Sequence, residues 1–329
     1  MRHLSRHETR QLLRAIRAYR VAHPKAPPLA ITCAGRRDGA GAQALGVLST
    51  MLVARKMRLR YLHTPFSMMG HAPGSREDWA KAWEAFLNLG FGEEPVPPGA
   101  DLVHVKEFLR DGIGVIRPDT VLAAPAYHWR KFQTPGALRR SGMSLRAKYR
   151  ASRSPRPVVH RAPPGALTVA VHIRRGDVSY THPIRKFFYT FDPPILKTIE
   201  GVRAVAARLG RETQVNVFSE GPPEMFSAYA AAGCRLHLGG DAFEAFHNLV
   251  SADILVQAKS SFSYIAGLIS TGAVVHEPYS GQTGKLFYRS APGWIVREES
   301  GAFDPDELRT ALIGETWYRR TLQRILRWF

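Results

Sequence analysis

The stretch TVAVHIRRGDVSY, residues 168–180, decides the predicted fold. It opens with alternating β-branched and small apolar residues, which predicts a β-strand over 167–173. Two arginines, a glycine and an aspartate follow directly, so the strand ends by presenting charged side chains. In open α/β sheets the carboxyl ends of parallel strands border the crevice where ligands bind, and we expect Arg174 and Arg175 to lie there.

Two arginines at such a place suit an anionic ligand. A guanidinium is a planar group of donors that stays charged at any working pH and matches phosphate oxygens two at a time, which favours a diphosphate. Gly176 permits a sharp turn, and Asp177 could hold one guanidinium or cap the next segment. The alternative is a solvated charged turn after the strand, with His172 as a hydrogen-bonded core histidine.

On both sides of this stretch, strands and helices alternate in the order that builds parallel sheets. The predicted helices are 5–20, 40–57, 75–89, 135–150, 193–210, 222–232, 241–251 and 261–270. The other predicted strands are 27–35, 59–66, 101–105, 214–218, one near 235, 253–257 and 273–277.

The segment 152–165 is rich in proline and arginine and has no periodicity, which indicates a domain boundary. We therefore predict two Rossmann-like α/β domains, 1–155 and 156–329. We expect them to face one another across a ligand-binding cleft.

The net charge and the cysteine content indicate which kinds of partner and which cellular compartment to expect. Lys and Arg number 46 against 27 Asp and Glu, a net charge of +19, which favours anionic partners such as nucleotides, nucleic acid or acidic lipid. The only cysteines, Cys33 and Cys234, lie in separate apolar stretches, which argues against a disulfide framework and fits a reducing compartment. We expect a cytoplasmic protein, since the sequence has neither a signal-peptide core nor a membrane-spanning run of roughly 18 to 20 apolar residues.

With His172 included, VHIRRGD at 171–177 resembles the H-x-R-R-x-D motif of the fucosyltransferase superfamily, which comprises the α1,2-, α1,6- and protein O-fucosyltransferases. Three more blocks resemble that family in the expected order: a glycine-rich loop with its helix, a strand ending in F-S-D-D, and an acidic residue before a strand and an S-S-F-S helix. They are GRRDGAGAQALGVLSTMLVARKM at 35–57, VNVFSEG at 215–221 and LVSADILVQAKSSFSYIAGLIS at 249–270.

The chain also departs from the family pattern. Glu220 and Gly221 replace the paired aspartates, and GAGAQA at 39–44 is looser than the GGLGNQ of α1,2-fucosyltransferases. The resemblance covers most of the C-terminal domain and one block of the N-terminal domain.

The resemblance implies a GT-B-like glycosyltransferase of bacterial type that moves fucose, with inversion, from GDP-fucose to a glycan or glycolipid hydroxyl in polysaccharide biosynthesis. It makes Arg174 the principal partner of the donor's β-phosphate, with Arg175 assisting. It also places His172 and Asp253 near the guanine.

Two further groups of residues follow from the same resemblance. Ser260 and Ser261 would offer hydroxyls and backbone N–H groups at a helix N-terminus, which is a phosphate site in its own right. Gly39 and Gly41 would let backbone N–H groups approach the acceptor or the pyrophosphate closely, and Gln43 belongs to the same block.

The implied reaction needs no metal, because fixed arginines and a helix N-terminus would meet the charge of the leaving diphosphate. The only D-x-D, Asp304-Pro305-Asp306, precedes ELRTAL and is predicted to start a helix. The thirteen histidines show no metal-ligand spacing such as H-E-x-x-H. Asp177 and Glu220 are both candidates for the general base, and either could instead orient an arginine.

Other interpretations stay open. Residues 39–44 also satisfy G-x-G-x-x-A, a weak signature of NAD-dependent Rossmann enzymes, but the second strand ends in YLHTPF, without the expected carboxylate. A nucleic-acid-binding protein would explain the positive charge, yet the arginines are spread along the whole chain. The C-terminal TWYRRTLQRILRWF, 316–329, could lie on the inner face of an anionic membrane or pack back onto a domain.

Overall fold

The structure is a computed structural model that describes residues 6–26, 28–117, 119–124, 133–182, 185–278 and 289–314. The chain divides into two compact units, Met1–Pro155 and Arg156–Phe329. The C-terminal segment for which a membrane or packing helix is predicted lies outside the described residues.

The first unit contains a parallel sheet of four strands in the order β2-β1-β4-β3. Its strands are Ala30–Thr32 (β1), Arg60–Tyr61 (β2), Asp101–His104 (β3) and Thr120–Ala123 (β4). Its helices are Arg6–Ala22 (α1), Ala40–Met57 (α2), Arg76–Leu87 (α3), Val105–Asp111 (α4) and Pro135–Ala151 (α5).

β4 lies between β1 and β3 in this sheet and was not predicted from the sequence. The run TVLA is only four residues long and does not alternate, so its periodicity cannot separate a buried strand from a loop. The short α4, which begins directly after β3, was missed as well. Neither segment shows a distinctive period, and the structure alone identifies both elements.

The second unit contains a parallel sheet of six strands in the order β10-β9-β8-β5-β6-β7. Its strands are Leu167–His172 (β5), Thr213–Ser219 (β6), Arg235–Leu238 (β7), Ile254–Val256 (β8), Ala273–His276 (β9) and Ile295–Val296 (β10). Its helices are Asp192–Arg208 (α6), Ser227–Ala231 (α7), Ala242–Ser251 (α8), Ser261–Ile269 (α9) and a helix at 305–314.

Counted along the chain from β5, this sheet has the strand order of the doubly wound nucleotide-binding fold. The winding reverses between β5 and β8, which are neighbours in the sheet. β5 is buried along almost its whole length, as expected for a parallel strand covered on both faces. The prediction of an α/β fold built on parallel sheets is therefore confirmed.

Two elements of this unit differ from prediction. The helix expected over 222–232 is a 3-10 turn at Pro223–Phe226 followed by the five-residue α7. Two successive prolines at its start remove backbone donors and explain the irregular beginning. The two-residue β10 at the sheet edge was not predicted, and it positions Arg297 directly after it.

Candidate functional site

The carboxyl ends of β5 and β8 border a recess with an empty volume of about 260 Å³. We call it the switch-point recess, because the winding of the sheet reverses between these two strands. Open α/β sheets bind their ligands outside the strand ends at such a point. Its polar lining comes from β5 and the following loop, from the segment before α6, from the end of β8 and from the residue after β10: His172, Arg174, Arg175, Thr190, Gln257 and Arg297.

Arg174 is held on the loop after β5 by the carboxylate three residues further on. Its Nε and Nη2 donate to the two oxygens of Asp177 at 3.0 and 2.7 Å. The turn between them needs Gly176, whose φ is 70°. About a quarter of the Arg174 side chain stays exposed, and its guanidinium carbon lies 5.1 Å from the centre of the Phe188 ring. Asp177 therefore orients the guanidinium at the recess.

Arg175 has different surroundings from its neighbour. Its side chain is only 2% exposed, and Nη2 donates to Asp192 Oδ1 at 2.7 Å and to the carbonyl of Thr190 at 3.1 Å. The guanidinium lies over the Tyr189 ring, with its carbon 4.1 Å from the ring centre. Arg175 therefore lines the recess beside Arg174 and also ties the loop after β5 to the beginning of α6.

His172 contributes an unsatisfied nitrogen to the recess. Its Nδ1 is buried and has no hydrogen-bond partner among the described residues. Burial, and secondarily the charge of Arg174, lower the pKa of His172 to about 3, so the imidazole is neutral near pH 7. A buried polar atom without a partner is uncommon and marks a place for a polar group of a ligand or for water.

The N-terminus of α9 lies at the same edge of the sheet, since this helix follows the carboxyl end of β8. Ser260 is its N-cap, and the Ser260 hydroxyl accepts the backbone N–H of Phe262 at 3.2 Å. Ser261 is the first residue of the helix, where backbone N–H groups carry partial positive charge. Ser260 therefore shapes the helix start, and the N-terminus itself supplies the electrostatic attraction.

Glu220 reaches the same edge from the end of β6. Its side chain is exposed, and a methyl group added at Gly176 would collide with the Glu220 carboxylate. Both candidate bases named from the sequence, Asp177 and Glu220, are thus brought to one loop cluster at the carboxyl edge. They differ in that both oxygens of Asp177 already accept hydrogen bonds from Arg174.

Asp253 lies at the opposite edge of the sheet. It precedes β8, and its Oδ2 accepts the backbone N–H of Thr168 at the beginning of β5, at 2.9 Å. At roughly 3.3 Å per residue, Thr168 is separated from Arg174 by about 20 Å along the strand. In the structure the Asp253 carboxylate therefore stabilises the amino ends of two strands, and its place near a bound base stays a prediction.

The glycine-rich block lies in the first unit, where Gly39 is the N-cap of α2 and Gly41 is in its first turn. Gln43 is 2% exposed, and its amide donates to the carbonyls of Asp38 at 2.7 Å and Met68 at 2.8 Å. Gln43 therefore joins two loops of this unit. It also borders a recess of about 230 Å³ at the end of β1.

Three charged residues of the second unit were not singled out from the sequence. Glu277, directly after β9, accepts Lys259 Nζ at 2.9 Å and Arg297 Nη2 at 2.6 Å. Glu277 and Arg297 are almost fully buried. Arg297 lines the recess, but it follows a strand of two residues, too short to be recognised from its pattern. The pairing of β9 with β10 and the ion pair bring these distant positions together.

Among the described residues, one group has the composition of a metal-ligand set. It consists of His160, His237 and Glu244, whose ligand atoms lie within 4.8 Å of one another. His160 Nε2 and Glu244 Oε1 are hydrogen-bonded at 2.6 Å, and the two imidazole rings are stacked at 4.1 Å. These residues come from three separate segments, so sequence spacing could not reveal the group. None of them lines the switch-point recess.

Within the described ranges, none of the helices combines the length and apolarity needed to cross a bilayer.

No protein-family model matches the chain, and no curated protein matches its sequence. Comparison of structures finds similarity to fucosyltransferase NodZ from Bradyrhizobium, at 10% identity over 75% of this chain and 94% of that chain, with a TM-score of 0.34. A trehalose 6-phosphate synthase from Burkholderia multivorans is similar at 11% identity over 94% and 68% of the two chains, with a TM-score of 0.31. A UDP-N-acetylglucosamine 2-epimerase from Listeria monocytogenes is similar at 14% identity over 84% and 63%, with a TM-score of 0.28. Similarity at this level assigns neither a ligand nor a reaction to this chain.

Proposed function

We propose that the protein is a glycosyltransferase that binds a nucleotide diphosphate sugar in the switch-point recess, with GDP-fucose as the donor. The observation that carries the proposal is the position of Arg174. This residue belongs to the stretch that resembles the fucosyltransferase motif, and it lines the recess where the winding of the six-stranded sheet reverses.

The electrostatics of the recess support a diphosphate. Arg174 is partly exposed and oriented by Asp177, so its guanidinium is preorganised before a ligand arrives. The N-terminus of α9 adds the partial positive charge of backbone N–H groups at the same sheet edge. The Nδ1 of His172, which has no partner within the described part of the chain, offers a neutral hydrogen-bonding group for an uncharged part of the nucleotide.

In the proposed reaction the bond between the fucose anomeric carbon and the diphosphate oxygen breaks, and the acceptor oxygen bonds to that carbon from the opposite face. The electron pair of the broken bond leaves with the diphosphate, whose growing charge Arg174 and the α9 N-terminus stabilise. We propose that these groups act without a metal ion.

The acceptor hydroxyl loses its proton to a carboxylate, and we assign this role to Glu220. Glu220 is exposed at the edge of the recess loops, whereas Asp177 is engaged on both oxygens in orienting Arg174. The proposed acceptor is a glycan or glycolipid hydroxyl.

Calorimetric titration of the full chain in EDTA tests the donor. We expect binding of GDP and GDP-fucose, weaker binding of UDP, and none of NADH. Arg174→Met should weaken GDP binding about 10- to 100-fold, the effect of losing charge-assisted hydrogen bonds to phosphate.

The control is Arg208→Met, which removes the same charge from an exposed position at the end of α6 and should leave the affinity for GDP unchanged. Preference for UDP, binding of NADH, or a requirement for added metal would overturn the proposed donor chemistry. Equal GDP affinity in the Arg174 variant and the wild type would overturn the proposed site.

A further inference from the structure

Arg297 is a buried arginine whose guanidinium is only partly satisfied. The side chain is 1% exposed and lines the switch-point recess. Nη2 donates to Glu277, but Nε and Nη1 have no hydrogen-bond partner among the described residues. Those two nitrogens carry three of the five N–H donors of a guanidinium. An arginine left in this state without a ligand is unfavourable, because buried donors without acceptors are costly.

The ion pairs around Arg297 do not balance locally. Among the described residues, Lys259 and Arg297 share the single carboxylate of Glu277, so this group holds two cations and one carboxylate. An uncompensated buried charge is strongly unfavourable, so this part of the recess calls for an anion.

We propose that Arg297 is a second anion-binding residue of the switch-point recess, contacting the diphosphate of the ligand from the end of β10. This inference rests on the proposed function and extends it. Arg174 lies on the loop after β5, whereas Arg297 arrives from the edge strand β10, so the two guanidiniums enter the recess from different elements.

The surroundings of Arg297 favour binding of phosphate over binding of a neutral base. Glu277 holds the guanidinium, and Lys259 and the Thr190 hydroxyl in turn donate to Glu277, at 2.9 and 3.4 Å. A neutral base would accept hydrogen bonds from the free N–H groups but would leave the excess positive charge in place. A phosphate group meets both needs, because its oxygens accept several N–H bonds and carry negative charge.

The test is calorimetric titration of the full-length protein with three probes: inorganic diphosphate, GDP and guanosine. Arg297→Met should weaken binding of diphosphate and of GDP about 10- to 100-fold, and should leave guanosine binding unchanged. Arg297→Lys keeps the charge and the pairing with Glu277 but loses most of the donors, so we expect a smaller loss. Arg208→Met serves again as the charge-matched control.

A second variant tests the proposal in case the Arg297→Met protein does not fold. Glu277→Gln keeps Arg297 and removes the only carboxylate of the group, so diphosphate should bind more tightly than to the wild type. Arg297→Lys and Glu277→Gln proteins are compared with the wild type by circular dichroism before titration.

The outcomes separate the two proposals. If wild-type protein binds GDP and the Arg297 variants bind it equally well, the inference about Arg297 is wrong and the proposed function stands. If the protein binds inorganic diphosphate in an Arg297-dependent way but does not bind GDP, the proposed donor is wrong and the role of Arg297 stands. If the wild type binds neither anion, both are refuted.

Discussion

Arg174 and Arg175 are neighbours on one loop, but replacing each with methionine should affect different properties, ligand binding in one case and stability in the other. Arg175→Met should destabilise the second unit, because this side chain is buried and hydrogen-bonded to Asp192, Thr190 and the Arg174 carbonyl. Arg174→Met should barely change stability, because its ion pair with Asp177 is partly exposed. It should instead weaken the binding of GDP.

The structure sets the size of the difference. Breaking a buried ion pair by removing one partner costs about 3 to 5 kcal/mol. Asp192 is one-third exposed and keeps a hydrogen bond from Tyr229 at 2.8 Å, so the loss for Arg175→Met should be near the lower end, about 3 kcal/mol. A partly exposed pair such as Arg174–Asp177 contributes about 0 to 1 kcal/mol.

Urea denaturation followed by circular dichroism measures the free energy of unfolding, and titration of GDP on the same preparations measures affinity. We expect a loss of stability of about 3 kcal/mol for the Arg175 variant and less than about 1 kcal/mol for the Arg174 variant. Equal destabilisation by the two substitutions would refute the assignment of a structural role to Arg175. A stable Arg175 variant that has lost GDP binding would instead assign Arg175 a direct contact with the ligand.

Three further predictions concern single sites. His276 is buried, and burial followed by the charge of Arg297 lowers its pKa to about 3. The imidazole of the folded protein stays neutral while that of the unfolded chain protonates below about pH 6.5, so the contribution of His276 to stability is complete above that pH and is lost as the pH falls toward 3. Between pH 7.5 and 5.0 this effect should lower the free energy of unfolding by about 2 kcal/mol. Urea denaturation at both pH values should show that His276→Asn removes this part of the pH dependence. Gly176→Ala should lower the free energy of unfolding by about 1 to 2 kcal/mol, because φ is 70° there. The loss should exceed that of Gly210→Ala, whose φ is 66°, because a Cβ at Gly176 meets the Glu220 carboxylate whereas one at Gly210 meets open space. Equal losses in thermal melts would mean that the Glu220 carboxylate moves aside freely. Burial raises the pKa of the Cys33 thiol to about 11, so native protein should not react with a disulfide reagent at this residue at pH 8, and rapid labelling located by mass spectrometry would contradict its buried position.

Local patterns predicted most elements of the second unit. The alternating run at β5, the serine that caps α9 and the apolar face of α6 are each contained within a few residues, which is the range over which periodicity and capping act. The same reasoning placed Arg174 at the carboxyl end of a parallel strand. It failed for β4 and β10, which are too short to show a period.

The amino-acid sequence by itself determined that this chain is an α/β protein, and it determined which residues follow the carboxyl end of β5. Only the tertiary structure decided the strand order, and with it the position of the recess between β5 and β8. It also decided that Arg175 is buried against Asp192, that Asp253 lies at the far edge, and that Arg297 enters the recess. The physical reason is range: helix and strand preferences act between neighbours in the chain, whereas strand pairing and buried ion pairs join segments that only the folded sheet brings together.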